Sequence, residues 1–332
     1  MSDAVVSAEF LYESAPFPSC HASTIVQADD RLACAFFGGT EERNPDVCIW
    51  ICHRSDNRWS APKLVADGVQ KDGTRQPTWN PVLFQPRSGP LMLFYKVGPS
   101  PREWWGEVKT STDHGHTWSQ ATRLPQGILG PIKNKPVQLA SGDILSPTSV
   151  EGHEVGWRIY FERSVDNGKT WKATPLVDQP PKMKAIQPSI LIHSPTKLQA
   201  VGRTQKSGLF ETWSEDAGLT WSPLAATSLP NPNSGTDAVT LRDGRHLLVY
   251  NHSSTEKVRV PLNVAVSRDG KNWEMAETLE TEPPGQYSYP AVIQSTDGLV
   301  HITYTWKRLK IRHVVLDPQK MKTVPILTER HG

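Results

Sequence analysis

Short runs of apolar and β-branched residues alternate with turn residues along this chain. The first such runs occupy residues 22–26, 32–37 and 47–52, and they are bounded by Asp-Asp, Gly-Gly and Asn-Pro pairs. Runs of this length and composition between turn residues predict β-strands rather than helices. A fourth run at residues 63–66 completes a set of four strands, which is the content of one blade of a β-propeller.

An eight-residue motif, S-x-D-x-G-x-T-W, recurs between the sets of strands. Near-intact copies lie at residues 111–118, 164–171 and 214–221, a shortened copy at 267–273 and a worn one at 55–59. The Asp side chain can accept hydrogen bonds from the amides that follow it, and the Gly supplies a positive φ. The Trp then covers the turn with a large apolar surface. The motif therefore predicts a hairpin turn and has no catalytic meaning of its own.

The spacing of the motif indicates an array of equivalent units. Its final tryptophans are 50 to 59 residues apart, a period typical of repeat architectures. The second repeat is predicted over residues 77–124, and the third, fourth and fifth begin near residues 135, 187 and 236. A repeat that runs nearly from end to end favours one closed array over two separate domains.

The last repeat is incomplete, and this predicts how the ring closes. It has three candidate strands, at residues 289–294, 299–305 and 311–316, and neither a motif nor a fourth strand is predicted after them. Residues 8–12 precede the first full repeat and can supply the missing strand, which would hide the open edges of the sheet. The prediction is a single all-β domain over residues 1–332: a six-bladed β-propeller closed by its N-terminal strand.

Charge and hydropathy exclude several classes of partner. Lys and Arg number 36 against 34 Asp and Glu, and no long basic run occurs, so nucleic acid is not expected. No apolar run approaches the roughly 20 residues of a membrane span. Residues 1–10 lack the basic start and apolar core of a signal peptide. This predicts a cytoplasmic chain as written, or a periplasmic or secreted one if a leader has been removed.

Neither a cofactor nor a metal is predicted. The four cysteines, Cys20, Cys34, Cys48 and Cys52, contain no C-x-x-C pair and are expected to be buried free thiols, with a disulfide or zinc as the less favoured alternatives. The histidines are scattered, and the sequence has no motif for nucleotide, flavin or phosphate-loop binding. The motif aspartates are already accounted for by the turns.

Four strands and one S-x-D-x-G-x-T-W turn per repeat resemble the sialidase (neuraminidase) superfamily, the Asp-box or BNR-repeat proteins. The resemblance covers roughly residues 8–318. Phrases at residues 20–24, 38–43 and 287–291 are similar to a branch labelled sialidase-like. The resemblance implies that ligands bind where the inner strands begin around the axis. It also implies three arginines on a substrate carboxylate, a tyrosine nucleophile with a carboxylate partner, and an aspartate acid/base.

Two of the three implied arginines are present. Arg203, in Val-Gly-Arg-Thr, matches the second position, and Arg259, in Arg-Val-Pro-Leu, matches the third. The first position is occupied by His21. Two guanidiniums near one axis suit bidentate binding of a carboxylate or sulfate, although each could instead serve a structural ion pair. An imidazole in place of the first arginine could act as a general acid or base.

The implied tyrosine and acid/base are present, but the tyrosine lacks its partner. Tyr287 fits the nucleophile, with Tyr289 close by, so that one of the two is expected to belong to the core. Asp46 aligns with the acid/base, and it also has a local role as a turn residue. The glutamate that activates the tyrosine aligns with Gln187, an amide. A phenol of pKa about 10 needs a base nearby, so ordinary hydrolysis of sialic acid is not predicted.

Four further residues are predicted to contact a substrate: Glu41 and Arg43 near Asp46, Lys133 as a positive charge on the rim, and Trp79 as a stacking surface for a sugar. Lys133 has a simpler alternative as a solvated charge, Trp79 has one as cover for a blade, and Glu41 and Glu42 are alternatives to Asp46 as the acid. The favoured hypothesis is a glycosidase that acts on an oligo- or polysaccharide containing an acidic sugar. The alternatives are a lyase that acts on uronic-acid glycans and a propeller that binds glycans without cleaving them.

Overall fold

The computed structural model describes residues 2–206 and 208–326, which form strands and turns without a helix. The N-terminal strand is β1 (Val5–Phe10). Blade 1 contains β2 (Ser19–Ala28), β3 (Arg31–Gly39), β4 (Cys48–Ser55), β5 (Arg58–Trp59) and β6 (Lys63–Ala66). Blade 2 contains β7 (Thr78–Phe84), β8 (Leu91–Val97), β9 (Trp105–Ser111) and β10 (Thr122–Arg123). Blade 3 contains β11 (Val137–Gln138), β12 (Ile144–Gly152), β13 (Gly156–Ser164) and β14 (Lys172–Ala173).

The second half of the chain repeats this arrangement. Blade 4 contains β15 (Ala185–Ile192), β16 (Leu198–Thr204), β17 (Leu209–Ser214) and β18 (Ala225–Ala226). Blade 5 contains β19 (Asp237–Thr240), β20 (His246–Tyr250), β21 (Leu262–Ser267) and β22 (Trp273–Glu280). Blade 6 contains β23 (Tyr287–Gln294), β24 (Val300–Trp306) and β25 (Lys310–Leu316), and a last strand, β26 (Val324–Pro325), follows.

The six sheets form a β-propeller, as the sequence predicts. Neighbouring strands pair antiparallel within each blade. The first strands of neighbouring blades contact one another around the axis: β2 contacts β7 and β23, and β19 contacts β15 and β23. We call the end of the propeller where β2, β7, β15, β19 and β23 begin the entry face. The part of the chain that the structure describes contains no long apolar helix of the kind that crosses a membrane.

The N-terminal strand closes the ring, as predicted. β1 pairs with β25 in blade 6, with Ala8 opposite Val314 and Phe10 opposite Arg312. One strand, β26, was not predicted: it returns to blade 5 and pairs with β22, placing Val324 opposite Met275. A strand of two residues carries no alternation of apolar and polar positions, so the sequence pattern gives no sign of it.

Each near-intact motif forms a turn held by its own side chains. At residues 111–118, Thr117 donates to the Asp113 carboxylate from its amide at 2.8 Å and from its hydroxyl at 2.6 Å. The Ser111 hydroxyl donates to the same carboxylate and accepts the Gly115 amide, and the Trp118 indole donates to the Gly115 carbonyl. These hydrogen bonds, those from Thr117 above all, hold the pKa of Asp113 well below its usual range.

The motif glycines also join each blade to the one before it. A Cβ on Gly115 would lie 3.0 Å from His53 Nε2 of blade 1, and a Cβ on Gly218 would lie 2.5 Å from a Leu145 methyl of blade 3. Both glycines have positive φ, so the turn conformation and the close approach require glycine together. The motif thus fixes its own hairpin and the spacing between blades.

Two pairs of histidines lie at the opposite end of the propeller from the entry face. His246 Nε2 is 3.2 Å from His193 Nδ1 in the neighbouring blade, and His301 Nδ1 is 3.0 Å from His313 Nε2. Each pair can share one proton between facing nitrogens only while at least one ring is neutral. Burial, followed by the charge of the partner histidine, lowers the pKa of His246 and of His301 to about 4.

These histidines predict a loss of stability in mild acid. A folded-state pKa below the ordinary value means that the unfolded chain binds more protons between pH 6.5 and about 4. The free energy of unfolding is therefore expected to fall as the pH falls through this window. In His301→Gln the slope of the free energy of unfolding against pH should be shallower by up to about 1.4 kcal/mol per pH unit, the equivalent of one proton. Urea titrations at a series of pH values measure this, and a flat profile from pH 6.5 to 4 would contradict it.

Candidate functional site

A β-bulge interrupts the first strand of four blades near the entry face. The register shifts after His21, Trp79, Ile186 and Ser288. The residue after each of these has a positive φ: Ala22 at 56°, Asn80 at 38°, Gln187 at 57° and Tyr289 at 53°. Such a conformation is uncommon for residues other than glycine, and bulges redirect side chains near functional sites. The repeated bulge therefore marks the axial end of the entry face as a candidate site.

Tyr289 lies at the centre of this region. Its hydroxyl accepts a hydrogen bond of 2.9 Å from Arg203 Nη2, and its ring centroid is 4.2 Å from that of His21. The Arg259 guanidinium carbon and the Lys133 Nζ each lie 5.6 Å from the Tyr289 ring centroid. One aromatic ring therefore contacts basic groups from blades 1, 3, 4 and 5.

Tyr287, for which the resemblance implied this position, lies elsewhere. Its ring belongs to the apolar core that blades 5 and 6 share and is 1 % exposed, and its hydroxyl donates to the Glu282 carbonyl at 3.0 Å. The structure thus places Tyr289, and not Tyr287, beside the arginines. The reason is the bulge after Ser288, where the positive φ of Tyr289 breaks the regular alternation of the strand.

The structure brings Arg203 and Arg259 to the same ring, with their guanidinium carbons 5.4 Å and 5.6 Å from the Tyr289 centroid. Arg203 Nη1 donates to the Asn233 carbonyl at 3.0 Å and to the Asn233 side chain at 3.1 Å, and the Trp157 ring lies 5.4 Å from the guanidinium carbon. Arg203 Nε and Arg259 Nη1 are buried and have no hydrogen-bond partner among the described residues. Burial, with the charges of Arg203 and Arg308 adding to it against the effect of Tyr289, lowers the pKa of Arg259 to about 10.

His21 is a buried and neutral imidazole beside these charges. Its Nδ1 is 2.9 Å from the Thr305 hydroxyl, and its ring packs edge-on against Phe37. Burial lowers the pKa of His21 well below 6.5, and the charge of Arg308 is the next largest cause. The imidazole is therefore neutral at neutral pH.

Lys133 lies on the axis rather than on the rim where the sequence analysis placed it. Its Nζ donates to the Asn134 side chain at 2.8 Å, to the Thr236 carbonyl at 2.9 Å and to the Pro290 carbonyl at 2.6 Å. These acceptors belong to three different parts of the ring, so the ammonium group ties blades 5 and 6 to the entry of blade 3. Burial lowers the pKa of Lys133 to about 7, against the opposing charge of Asp237.

Gln187 lies in the same axial region but bonds neither tyrosine. The main-chain carbonyl of Gln187 accepts a hydrogen bond of 2.9 Å from the Asn134 side-chain amide. The side-chain carboxamide of Gln187 does not titrate, so it cannot act as a base. The buried Gln187 Oε1 has no hydrogen-bond partner within residues 2–206 and 208–326. No carboxylate is hydrogen-bonded to the hydroxyl of Tyr289 in this part of the chain.

The loop after β3 carries the carboxylates of Glu41, Glu42 and Asp46, and of these three only Glu42 forms an ion pair with an arginine. Asp46 closes the loop on itself, because its carboxylate accepts the Thr40 amide at 3.0 Å and the Thr40 hydroxyl at 2.7 Å. Glu41 and Arg43 are exposed. Glu42, between them, pairs with Arg308 Nη1 at 2.5 Å.

Trp79 is packed rather than open. It is 2 % exposed, its indole donates to the Gly98 carbonyl at 2.8 Å, and its ring meets Trp104 edge-on. This geometry leaves little of the ring for stacking on a sugar and favours the alternative that Trp79 covers its blade.

Arg308 is the site residue that the sequence analysis missed. It lies in the turn between β24 and β25, at the entry face, where the resemblance implied that ligands bind. No sequence motif contains it. Its carbonyl accepts the Cys20 amide at 2.9 Å, which fixes the turn next to His21. Arg203, Arg259 and Lys133 thus lie against Tyr289, the turn that carries Arg308 lies next to His21, and Glu42 is paired with Arg308. Among the described residues no group of three His, Cys, Asp or Glu side chains is arranged to hold a metal ion.

A six-bladed propeller with these motif turns is the architecture of the sialidase-like, BNR-repeat superfamily. The family model described as the BNR repeat-like domain matches residues 30–302, and the chain belongs to this family. No curated protein matches the chain.

Solved structures match the fold closely at low sequence identity. The NanB sialidase from Streptococcus pneumoniae has a TM-score of 0.75 at 12% identity, over 95% of this chain and 71% of that one. An intramolecular trans-sialidase from Ruminococcus gnavus has a TM-score of 0.77 at 13% identity, over 98% and 100% of the two chains. A protein of unknown function from Dyadobacter fermentans has a TM-score of 0.74 at 17% identity, over 94% and 98%. At these identities the likeness establishes the shared fold alone.

Proposed function

We propose that the protein cleaves a glycosidic bond to a carboxylated sugar at the axial end of the entry face. The observation that carries this proposal is the convergence of the Arg203 and Arg259 guanidiniums on Tyr289, beside His21, with buried nitrogens of both arginines unpartnered among the described residues. A guanidinium fork is suited to bind a carboxylate through two parallel hydrogen bonds. Buried donors without partners are costly, and a bound anion would satisfy them.

Hydrolysis is the first candidate reaction, and it gives Tyr289 the role of nucleophile. The neutral His21 would accept the phenolic proton, and Arg203 would stabilise the oxygen that remains. As the phenolic oxygen bonds to the anomeric carbon, the glycosidic bond breaks and its oxygen takes a proton from a carboxylic acid of the 40–46 loop. Water then displaces Tyr289 from the sugar and gives one proton to the loop carboxylate, while His21 returns its proton to the phenolic oxygen.

Elimination from a uronic acid is the second candidate reaction, and the environment of Tyr289 supports it. Neither Tyr287 nor Tyr289 is hydrogen-bonded to a carboxylate among the described residues, whereas the neutral imidazole of His21 lies beside the Tyr289 ring. One of His21 and Tyr289 would take the C5 proton while the arginines neutralise the adjacent carboxylate. The electron pair forms the C4–C5 double bond, the C4–O bond breaks, and the departing oxygen is protonated by the other residue.

The product distinguishes these candidates. Purified protein is incubated with aryl sialosides and with a panel of uronic-acid polysaccharides, and the products are weighed by mass spectrometry and followed by ultraviolet absorbance. Hydrolysis adds one water per cleavage, whereas elimination adds none and produces an absorbing unsaturated uronate. We expect one of these outcomes. Binding of a glycan without any product would contradict the proposal and support a propeller that only binds glycans.

A further inference from the structure

The entry face contains an ion pair that spans the join between blades 1 and 6. Arg308 Nη1 is 2.5 Å from Glu42 Oε2, and Arg308 Nε donates to the Gln286 side chain at 2.7 Å. Side-chain exposures of 27 % for Arg308 and 36 % for Glu42 leave the pair accessible from solvent. The ion pair therefore lies at the surface of the entry face and not within the core.

The backbone connects this ion pair to the central cluster on both sides. The Arg308 carbonyl accepts the amide of Cys20, the residue before His21. On the other side, Gln286 forms an isolated parallel bridge with Arg259, and the Tyr287 amide donates to the Arg259 carbonyl at 3.1 Å. Arg308 thus lies between His21 of blade 1 and Arg259 of blade 5.

This location matters because His21 stands where the family resemblance implied an arginine. The remaining two arginines come from blades 4 and 5, and Arg308 comes from blade 6, next to His21, which occupies the first of the three implied arginine positions. Its guanidinium uses Nε and Nη1 for neutral and acidic partners of this chain. Glu42 supplies the kind of group, a carboxylate, that the other two arginines are proposed to bind from a substrate.

We propose that Arg308 is the third carboxylate-binding guanidinium of the site and that Glu42 is its resting counter-ion, which the substrate carboxylate displaces. The inference rests on the proposed function, because it assumes that an acidic sugar binds between the arginines. It assigns opposite effects to the two partners of one ion pair. Removing Arg308 removes a ligand of the substrate, whereas neutralising Glu42 removes a competitor of the substrate.

The test measures equilibrium binding of three monosaccharides by calorimetry: D-glucuronate, N-acetylneuraminate and neutral D-glucose. Arg308→Ala is expected to weaken binding of the acidic sugar about tenfold or more, since a charge-assisted hydrogen bond is lost. Arg308→Lys keeps the charge but loses the planar fork, so its affinity for the acidic sugar should lie between those of Arg308→Ala and wild type. Glu42→Gln should tighten binding several-fold. Lys310→Ala breaks the exposed pair with Glu13 at the start of β25 and should match wild type.

Each outcome has a defined meaning. Unchanged affinity in Arg308→Ala, or weaker binding in Glu42→Gln, would overturn the inference, because the pair would then be only a clasp between blades. If Arg203→Ala weakens binding while Arg308→Ala does not, this inference fails and the proposed function stands. If wild type binds both acidic sugars no better than glucose, the proposed function fails, and this inference fails with it. Thermal unfolding of every variant identifies misfolding. Misfolding cannot account for the result expected of Glu42→Gln, because that variant should gain affinity.

Discussion

Tyr289→Phe is expected to lower kcat on a cleaved glycan about a thousandfold, while Tyr287→Phe retains most of the activity. The Tyr289 hydroxyl accepts its hydrogen bond from Arg203, and its ring contacts His21, so removing one oxygen removes the group that would exchange a proton or attack. The Tyr287 hydroxyl bonds only the Glu282 carbonyl, so its loss should cost about 1 kcal/mol of stability and leave the chemistry intact.

The two variants are matched controls for each other. They remove the same atom from the same type of residue on one strand, two positions apart. Steady-state kinetics on whichever substrate is cleaved separates kcat from KM, and thermal unfolding shows that both variants fold. A large loss in Tyr287→Phe with little loss in Tyr289→Phe would contradict the assignment and restore the position that the family resemblance implied.

Asp237→Ala is expected to destabilise the propeller by roughly 3–5 kcal/mol, the cost of removing one partner of a buried ion pair. Its carboxylate accepts hydrogen bonds of 2.9 Å from Lys135 of blade 3, from the Ser189 hydroxyl of blade 4 and from the Val292 amide of blade 6. The Asp237 side chain is 3 % exposed. Without this carboxylate, the Lys135 ammonium group would lose its charged partner and the buried Val292 amide would lose its acceptor.

Asp243→Ala provides the control for this prediction within the same blade. Asp243 pairs with Arg245 at 2.6 Å, a shorter contact than that of Asp237 with Lys135, but the Asp243 side chain is 48 % exposed. Exposed pairs contribute about 0–1 kcal/mol, so Asp243→Ala should unfold close to wild type. Urea titration gives the free energy of unfolding of both variants. Equal losses would show that burial of the axial carboxylate does not set its contribution.

The fold could be predicted because its instructions are local and repeated. The turn at residues 111–118 contains its own serine, aspartate, glycine and threonine, and the same chemistry recurs at residues 164–171 and 214–221. Once the period was known, the strand missing from the last repeat predicted the pairing of β1 with β25. β26 was missed because it pairs through two residues only, and its position depends on the neighbouring edge of blade 5.

The site could be predicted only in part, because its residues are set by long-range geometry. Arg203 and Arg259 were found from the phrases around them. The choice between Tyr287 and Tyr289 depends on a bulge, which adds a residue to the strand without any obvious change in its sequence pattern. Lys133 was placed on the rim because a short charged cluster is usually solvated, whereas three carbonyl and amide oxygens from distant parts of the chain hold it on the axis.

Arg308 shows the limit of arguing from aligned positions. An implied arginine is absent at His21, and from sequence alone the site has two arginines. The turn that carries Arg308 lies within the last blade and is hydrogen-bonded to the first, so Arg308 and His21 are 287 positions apart in the chain but neighbours in the ring. Only closure of the propeller brings them together.

The most direct test of the central claim is to compare cleavage of one glycan before and after its carboxylates are reduced to primary alcohols. The polymer or sialoside that the product screen identifies is used, so that linkage and sugar ring are the same in both samples. If the arginine cluster binds the carboxylate of the scissile residue, the initial rate should fall by about a hundredfold or more on the reduced glycan. Equal rates on the two glycans would contradict the claim that this site recognises an acidic sugar.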